Sequence, residues 1–71
     1  MQFKWTKGYR YYTINIQGNL FGTASVICSW GAMDNHRGNQ KITFCENEKE
    51  INDTLAYHFK RRESRGYERC I

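Results

Sequence analysis

A flat ring beside bare backbone, with cations within a strand's length, is what the segment from Ser29 to Gly38 offers. Trp30 ends a β-branched run (Val26, Ile27), Gly31 follows it, and a polar, partly basic loop comes next. An exposed tryptophan in that position is a stacking platform for a sugar or a base, worth ~1–3 kcal/mol. Arg37 and Lys41, with His36, can place donors near a backbone phosphate, which positions a strand without reading its sequence. Asn39 and Gln40 add groups that both donate and accept, with nothing to aim them at base edges. A second basic run, Lys60-Arg61-Arg62-Glu63-Ser64-Arg65, can track phosphates through Arg61 and its neighbours. Each feature also has a plain structural explanation. Trp30 can be a core or sheet-edge residue, Arg37 and Lys41 can belong to a solvated hairpin, and the basic run can complement the C-terminal end of a helix dipole.

No catalytic constellation accompanies them. There is no Ser/His/Asp or Cys/His arrangement in a recognisable context, and no glycine-rich phosphate loop ahead of a helix. Glu48, Glu50 and Asp53 have the spacing of a helix N-terminus. His58 sits beside an apolar stripe and reads as a partly buried helix residue. An enzyme is therefore not expected, nor is a cofactor. The three cysteines (Cys28, Cys45, Cys70) are an odd number without paired spacing, which points to reduced thiols rather than a disulfide framework. With no close ligand pair, a structural zinc site is not expected either. Cys28 and Cys45 fit as small hydrophobes on strands.

The chain has 71 residues and a formal net charge of +4. It fits one domain over residues 1–71, and a chain this short buries only roughly 60% of its unfolded surface. Two Trp, five Tyr and four Phe supply the large side chains such a small core needs. No stretch approaches the ~18 apolar residues of a membrane span, and the N-terminus lacks the apolar run of a secretory signal. A cytoplasmic location is expected. The charge is uneven: Glu46, Glu48, Glu50 and Asp53 form an acidic patch between two basic regions. A basic balance favours an anionic polymer as partner, and it also serves solubility.

The elements that must carry these residues are legible from period. Residues 2–6 alternate, so Phe3 and Trp5 share a face. Lys7-Gly8 is a turn. Residues 10–17 put Tyr12, Ile14 and Ile16 on one face of a second strand. Gly18-Asn19 is turn chemistry, with Leu20-Phe21-Gly22 bridging to a third strand over residues 23–30. Adjacent Val26 and Ile27 leave its inward face open. Residues 40–45 form a fourth strand, with Ile42 and Phe44 opposite Lys41, Thr43 and Cys45. From 48 to 63 the pattern is helical: Asn47 is an N-cap with Glu50 three residues on, Ile51, Leu55 and Phe59 form an apolar stripe, and Gly66 is an αL cap onto which Tyr67 folds. The expected fold is α+β: a four-stranded antiparallel sheet (β-β-β-β-α) with one C-terminal helix on one face.

At Ser29-Trp30-Gly31 the sequence resembles the WGR domain family. The likeness extends to Arg10-Tyr11-Tyr12, to Leu20-Phe21-Gly22, to the closure on Arg37-Gly38, to the Gln40-Lys41 strand, and to the helix that ends in a basic run before Gly66-Tyr67. The family occurs in DNA-dependent poly(ADP-ribose) polymerases and in short bacterial proteins, which this chain looks like. The resemblance implies a curved sheet and binding near a DNA end, with Trp30 matching the tryptophan that stacks on a terminal sugar. Gly31 matches the family glycine, and Lys41 occupies a basic position suited to a phosphate contact. The third signature residue, arginine, is Ala32 here, and a usual glycine is Asp34. In the polymerases that arginine joins DNA to neighbouring domains, so its absence removes that link and one cation.

The leading expectation is a non-catalytic module that binds nucleic acid, DNA or RNA, at ends or breaks and without sequence preference, through Trp30, Gly31, Arg37, Gln40, Lys41 and Arg61. The alternative is a protein-interaction module that uses Trp30-Gly31 as its anchor, a reading that Ala32 and Asp34 favour. A core this small also leaves room for an oligomer.

Overall fold

The computed structural model describes residues 1–18, 23–33 and 38–70. Leu20-Phe21-Gly22, Asp34, His36 and Arg37 lie outside them, so the bridging segment and part of the basic loop are expectations from sequence alone. Six elements follow one another: β1 (Gln2–Lys7), β2 (Arg10–Gly18), β3 (Ala24–Ala32), β4 (Gly38–Cys45), α1 (Glu48–Ser64) and β5 (Glu68–Arg69). All strand pairs are antiparallel, in the order β4-β3-β2-β1-β5.

The sheet therefore has five strands, not four. β5 spans two residues, too few for any period to show. It forms because the chain leaves the helix through a tight turn and runs back along β1, pairing Trp5 with Arg69 and Thr6 with Glu68. Cys70 N–H extends the pairing to the Lys4 carbonyl at 2.7 Å.

β3 and β4 also run further toward each other than expected. Gly31 pairs with Gly38, so Trp30 is two residues inside β3. β3 lies between β2 and β4, which means Trp30 is not at a sheet edge. At the same end of the sheet, Lys7 pairs with Arg10 around Gly8-Tyr9. Gly8 there has φ of 59°, a conformation that costs a side-chain-bearing residue energy.

Register settles which face is covered. Tyr12 pairs with Trp30, Ile14 with Cys28 and Ile16 with Val26, while Cys28 pairs with Lys41 and Ala24 with Cys45. This is the helix-covered face, and Trp5, Tyr12, Ile14, Ala24, Val26, Cys28 and Cys45 are buried on it. Val26 points in and Ile27 out. Ile51, Leu55 and Phe59 of α1 pack onto this core. Phe59 meets Phe3 and Trp5 edge-on, with ring centres 4.9 and 5.1 Å apart, contacts worth about 0.5–1.5 kcal/mol each beyond burial.

Both helix ends are closed by local chemistry. Asn47 Oδ1 accepts from Glu50 N–H at 2.9 Å. The Glu50 carboxylate accepts from Glu46 N–H at 2.8 Å, one residue short of the usual reciprocal partner. At the C-terminus Gly66 has φ of 82°. Its N–H donates to the Glu63 carbonyl and that of Tyr67 to the Arg62 carbonyl, both at 3.0 Å. This is a Schellman turn, and it folds Tyr67 back toward the core. Among the described residues, no helix is long and apolar enough to cross a membrane.

Candidate functional site

The last two turns of α1 stand over the end of the sheet where β2 begins and β3 ends. A cavity of about 520 Å³ opens there. Sequence position explains its lining. On β2 the alternation that buries Tyr12 and Ile14 also brings Arg10 to the covered face. On β3 the same alternation brings Trp30 and Ala32, and on β4 it brings Lys41. From α1 come Tyr57, His58, Arg61, Arg62 and Arg65, and from the turn beyond it Tyr67. Arg10, Lys41, Arg61, Arg62 and Arg65 are five cations on one wall set, and none of the described lining residues is acidic.

The aromatic part is built around Tyr12. Its ring is stacked with that of Trp30, with centres 5.8 Å apart and planes 12° from parallel. Tyr67 approaches it edge-on at 6.5 Å. Trp30 is half-buried, held by Tyr12 and still lining the cavity. It is thus neither a fully buried core residue nor a free platform.

Arg62 is the one buried charged residue among those described, 7% exposed. Its guanidinium carbon lies 4.0 Å from the centre of the Tyr12 ring and 5.1 Å from that of Tyr67. The two π-faces substitute for part of its lost hydration. Its Nε has no hydrogen-bond partner among the described residues.

His58 lies beneath this wall. Its Nδ1 is 3.3 Å from Tyr12 Oη, and its Nε2 is 3.6 Å from Cys28 Sγ. Burial pushes its basicity below the usual imidazole range, and Arg62, Lys41 and Arg61 push the same way. Burial likewise raises the Tyr12 phenol far above its ordinary value, with the Cys28 thiol adding to the effect. At neutral pH both rings are uncharged, and the positive charge of the site comes from its arginines and Lys41.

Of the residues singled out from sequence, Trp30, Gly31, Lys41 and Arg61 come together at this cavity. Gln40 does not. It pairs with Ser29 on the opposite, uncovered face of the sheet, because neighbours on a strand point to opposite sides. Arg37 lies outside the described residues. Arg62 and Arg65 belonged to the basic run read as a possible phosphate-tracking face but were not singled out as Arg61 was, and Arg10 was missed as a site residue. The signal for Arg10 was its place in the Tyr12-Ile14 alternation, and for Arg62 its position three residues beyond Phe59 on the apolar stripe. The acidic helix start is remote: Glu50 and Arg61 are separated by about 16 Å of helix at 1.5 Å per residue. Among the described residues no group of three His, Cys, Asp or Glu side chains could hold a metal ion.

A five-stranded antiparallel sheet covered by one helix, with an aromatic and basic cavity between them, defines a small α+β domain of binding type. The family model of the WGR domain matches residues 3–70, nearly the whole chain, and the chain belongs to that family. WGR domains are in general nucleic-acid-binding modules, not catalytic by themselves. Comparison with curated proteins and with solved structures returned no significant match.

Proposed function

We propose that this domain binds nucleic acid without sequence preference, at DNA ends or breaks, and performs no chemistry on it. The observation that carries the reading is the cavity lining: five cations around the stacked Tyr12–Trp30 pair, with no carboxylate among the described lining residues. Fixed cations attract the phosphodiester backbone and release its counterions. An aromatic surface accepts a sugar or base face whatever the sequence. A chain terminus presents such a face without unstacking, whereas the interior of a duplex does not. Trp30, Gly31, Lys41 and Arg61 are the proposed contacts, joined by Arg10, Arg62 and Arg65. Arg37, one residue before Gly38 in the sequence, belongs to the same proposal. The Tyr12 and Tyr67 rings hold Arg62 in place before any ligand arrives, which lowers the entropic cost of recognition.

The protein-anchor reading has less support. It needs an apolar pocket around Trp30, and the cavity that Trp30 lines carries five cations. The test compares a blunt linear duplex with a closed circle of the same sequence across a salt series. Tighter binding of the linear form is expected, with log affinity falling by roughly three to four per tenfold rise in salt if about four phosphates are engaged. Equal affinity for both forms refutes end binding; affinity indifferent to salt refutes the nucleic-acid reading itself.

A further inference from the structure

We infer that His58 is a conditional member of the cation set, taking up a proton when a phosphate-bearing strand fills the cavity and then adding its own charge to the grip. The inference rests on the reading of the cavity as a phosphate site, and it concerns a residue whose sequence context suggested only helix packing.

The geometry permits both charge states. Both partners of the imidazole, the Tyr12 hydroxyl at Nδ1 and the Cys28 thiol at Nε2, can donate or accept. In the neutral ring the tyrosine donates to Nδ1 and Nε2–H donates to the sulfur. On protonation the hydroxyl rotates and accepts from Nδ1–H, while the second hydrogen bond is kept. The hydroxyl proton displaced in this way turns to the Cys28 sulfur, the other hydrogen-bond partner of Tyr12, so the buried O–H keeps an acceptor.

What holds the proton off is the company. Arg10 and Tyr12 face the site from β2, Cys28 from β3 and Lys41 from β4. Tyr57, Arg61, Arg62 and Arg65 face it from α1, and Tyr67 from the turn beyond. Every one of these is positive or neutral. With the cavity empty, burial and the field of Arg62, Lys41 and Arg61 all oppose the imidazolium. Phosphodiester groups drawn among those same cations reverse the sign of the local field, and an opposite charge nearby favours the protonated form. Linkage then requires the converse: if binding favours the proton, the proton favours binding.

The experiment follows the His58 Cε1 proton by NMR across pH, alone and with a short blunt duplex. A His36→Gln background removes the other histidine. The duplex carries 5′-hydroxyl ends, so that no terminal phosphate titrates in the same range. The midpoint of His58 is expected to rise on binding, and affinity to be roughly two- to fivefold tighter at about pH 6 than at about pH 8, part of the three- to tenfold limit that a shift of half to one pH unit in one group supplies. His58→Gln flattens that dependence. A duplex that binds with salt dependence while the His58 midpoint stays put, or a His58→Gln protein that keeps the pH slope, overturns the inference and leaves the proposed function standing. No salt-dependent binding at any pH removes both.

Discussion

The guanidinium of Arg62 lies 4.0 Å from the centre of the Tyr12 ring, with Tyr67 flanking it at 5.1 Å. Among the described residues it is the one buried charged side chain. The arrangement depends on planarity, since a flat delocalised cation lies against a ring where an ammonium only approaches it. It also carries a cost, because Arg62 Nε is buried without a partner among the described residues. A stable fold has no use for such a group, as apolar replacements of buried charges are often neutral or stabilising. The arginine makes sense as part of a site.

Replacing it should separate stability from binding. Arg62→Met keeps an unbranched stem between Tyr12 and Tyr67 and removes the unpaired donor. Its thermal midpoint should match or exceed that of the parent, while duplex affinity falls at least tenfold, the loss expected for one charge-assisted contact. Arg62→Lys keeps the charge and loses the stacking, so its midpoint should fall below that of Arg62→Met. Calorimetry and a binding isotherm on the same samples check both.

Lys41 and Gln40 are neighbours on β4 that face opposite ways. Lys41→Gln should reduce the salt slope by about one, the signature of one lost phosphate contact. Arg61→Gln should do the same. Gln40→Ala should leave affinity and slope as they are. A salt series that adds Lys49→Gln, a cation in the first turn of α1 away from the cavity, distinguishes a directed cavity from a diffuse basic surface, for which removing any charge has the same effect wherever it sits.

How far these residues were legible depends on their surroundings. The alternation of Tyr12, Ile14 and Ile16 and the four-residue repeat of Ile51, Leu55 and Phe59 identified the core faces directly, because burial imposes period on sequence. Val26 and Ile27 are equally apolar, so only register, through Ile14↔Cys28 and Ile16↔Val26, could choose between them. β5 was invisible because two residues carry no period. At the site, Trp30, Gly31, Lys41 and Arg61 announced themselves by type. Arg62 did not, since an arginine on a basic helix end looks solvated until the fold places tyrosines around it. His58 shows its relation to Lys41, Arg61 and Arg62 only when strand and helix are brought together.

Trp30 should matter for both fold and ligand. Its ring stacks with the buried Tyr12 while lining the cavity. Trp30→Ala should lower stability by about 2 kcal/mol, in the lower range for large-to-small changes because the residue is only half-buried. It should also weaken binding by about 1–3 kcal/mol, the value of a stacking contact. Trp30→Phe restores most of the first quantity and less of the second. Denaturant unfolding alongside titration with a blunt duplex measures the two losses separately.

Gly66 sets the direction in which Tyr67 returns. Its φ of 82° is one that L side chains rarely adopt, although a methyl group there would meet only the end of the Lys7 side chain at 3.7 Å. Gly66→Ala should therefore cost about 1–2 kcal/mol through backbone conformation alone, without a clash. Because Tyr67 flanks Arg62, the same variant should weaken duplex binding, and a Tyr67→Leu protein should show that loss without the backbone cost. Unfolding and binding curves for the two variants test whether the turn reaches the site through Tyr67.

The ligand-free domain should lose stability at both ends of the pH scale, for reasons located in one hydrogen-bonded pair. His58 binds its proton less readily in the folded state than in the unfolded chain, whose reference value is 6.5. Below that value the unfolded state holds more protons than the native one, so stability falls as pH drops from about 6.5 toward the folded-state midpoint. Tyr12 shifts the other way, keeping its proton above the ordinary value of 10.0. Above that pH the unfolded chain ionises first, and stability falls again as pH rises. Thermal midpoints across pH should therefore be flat between these limits. His58→Gln should remove the acid-side decline due to this ring, and Tyr12→Phe the alkaline one. Bound duplex should reduce the acid-side loss in the parent protein, because the ligand lets His58 hold its proton in the folded state. An acid decline equally steep with and without duplex would mean that the phosphates do not reach the field around His58.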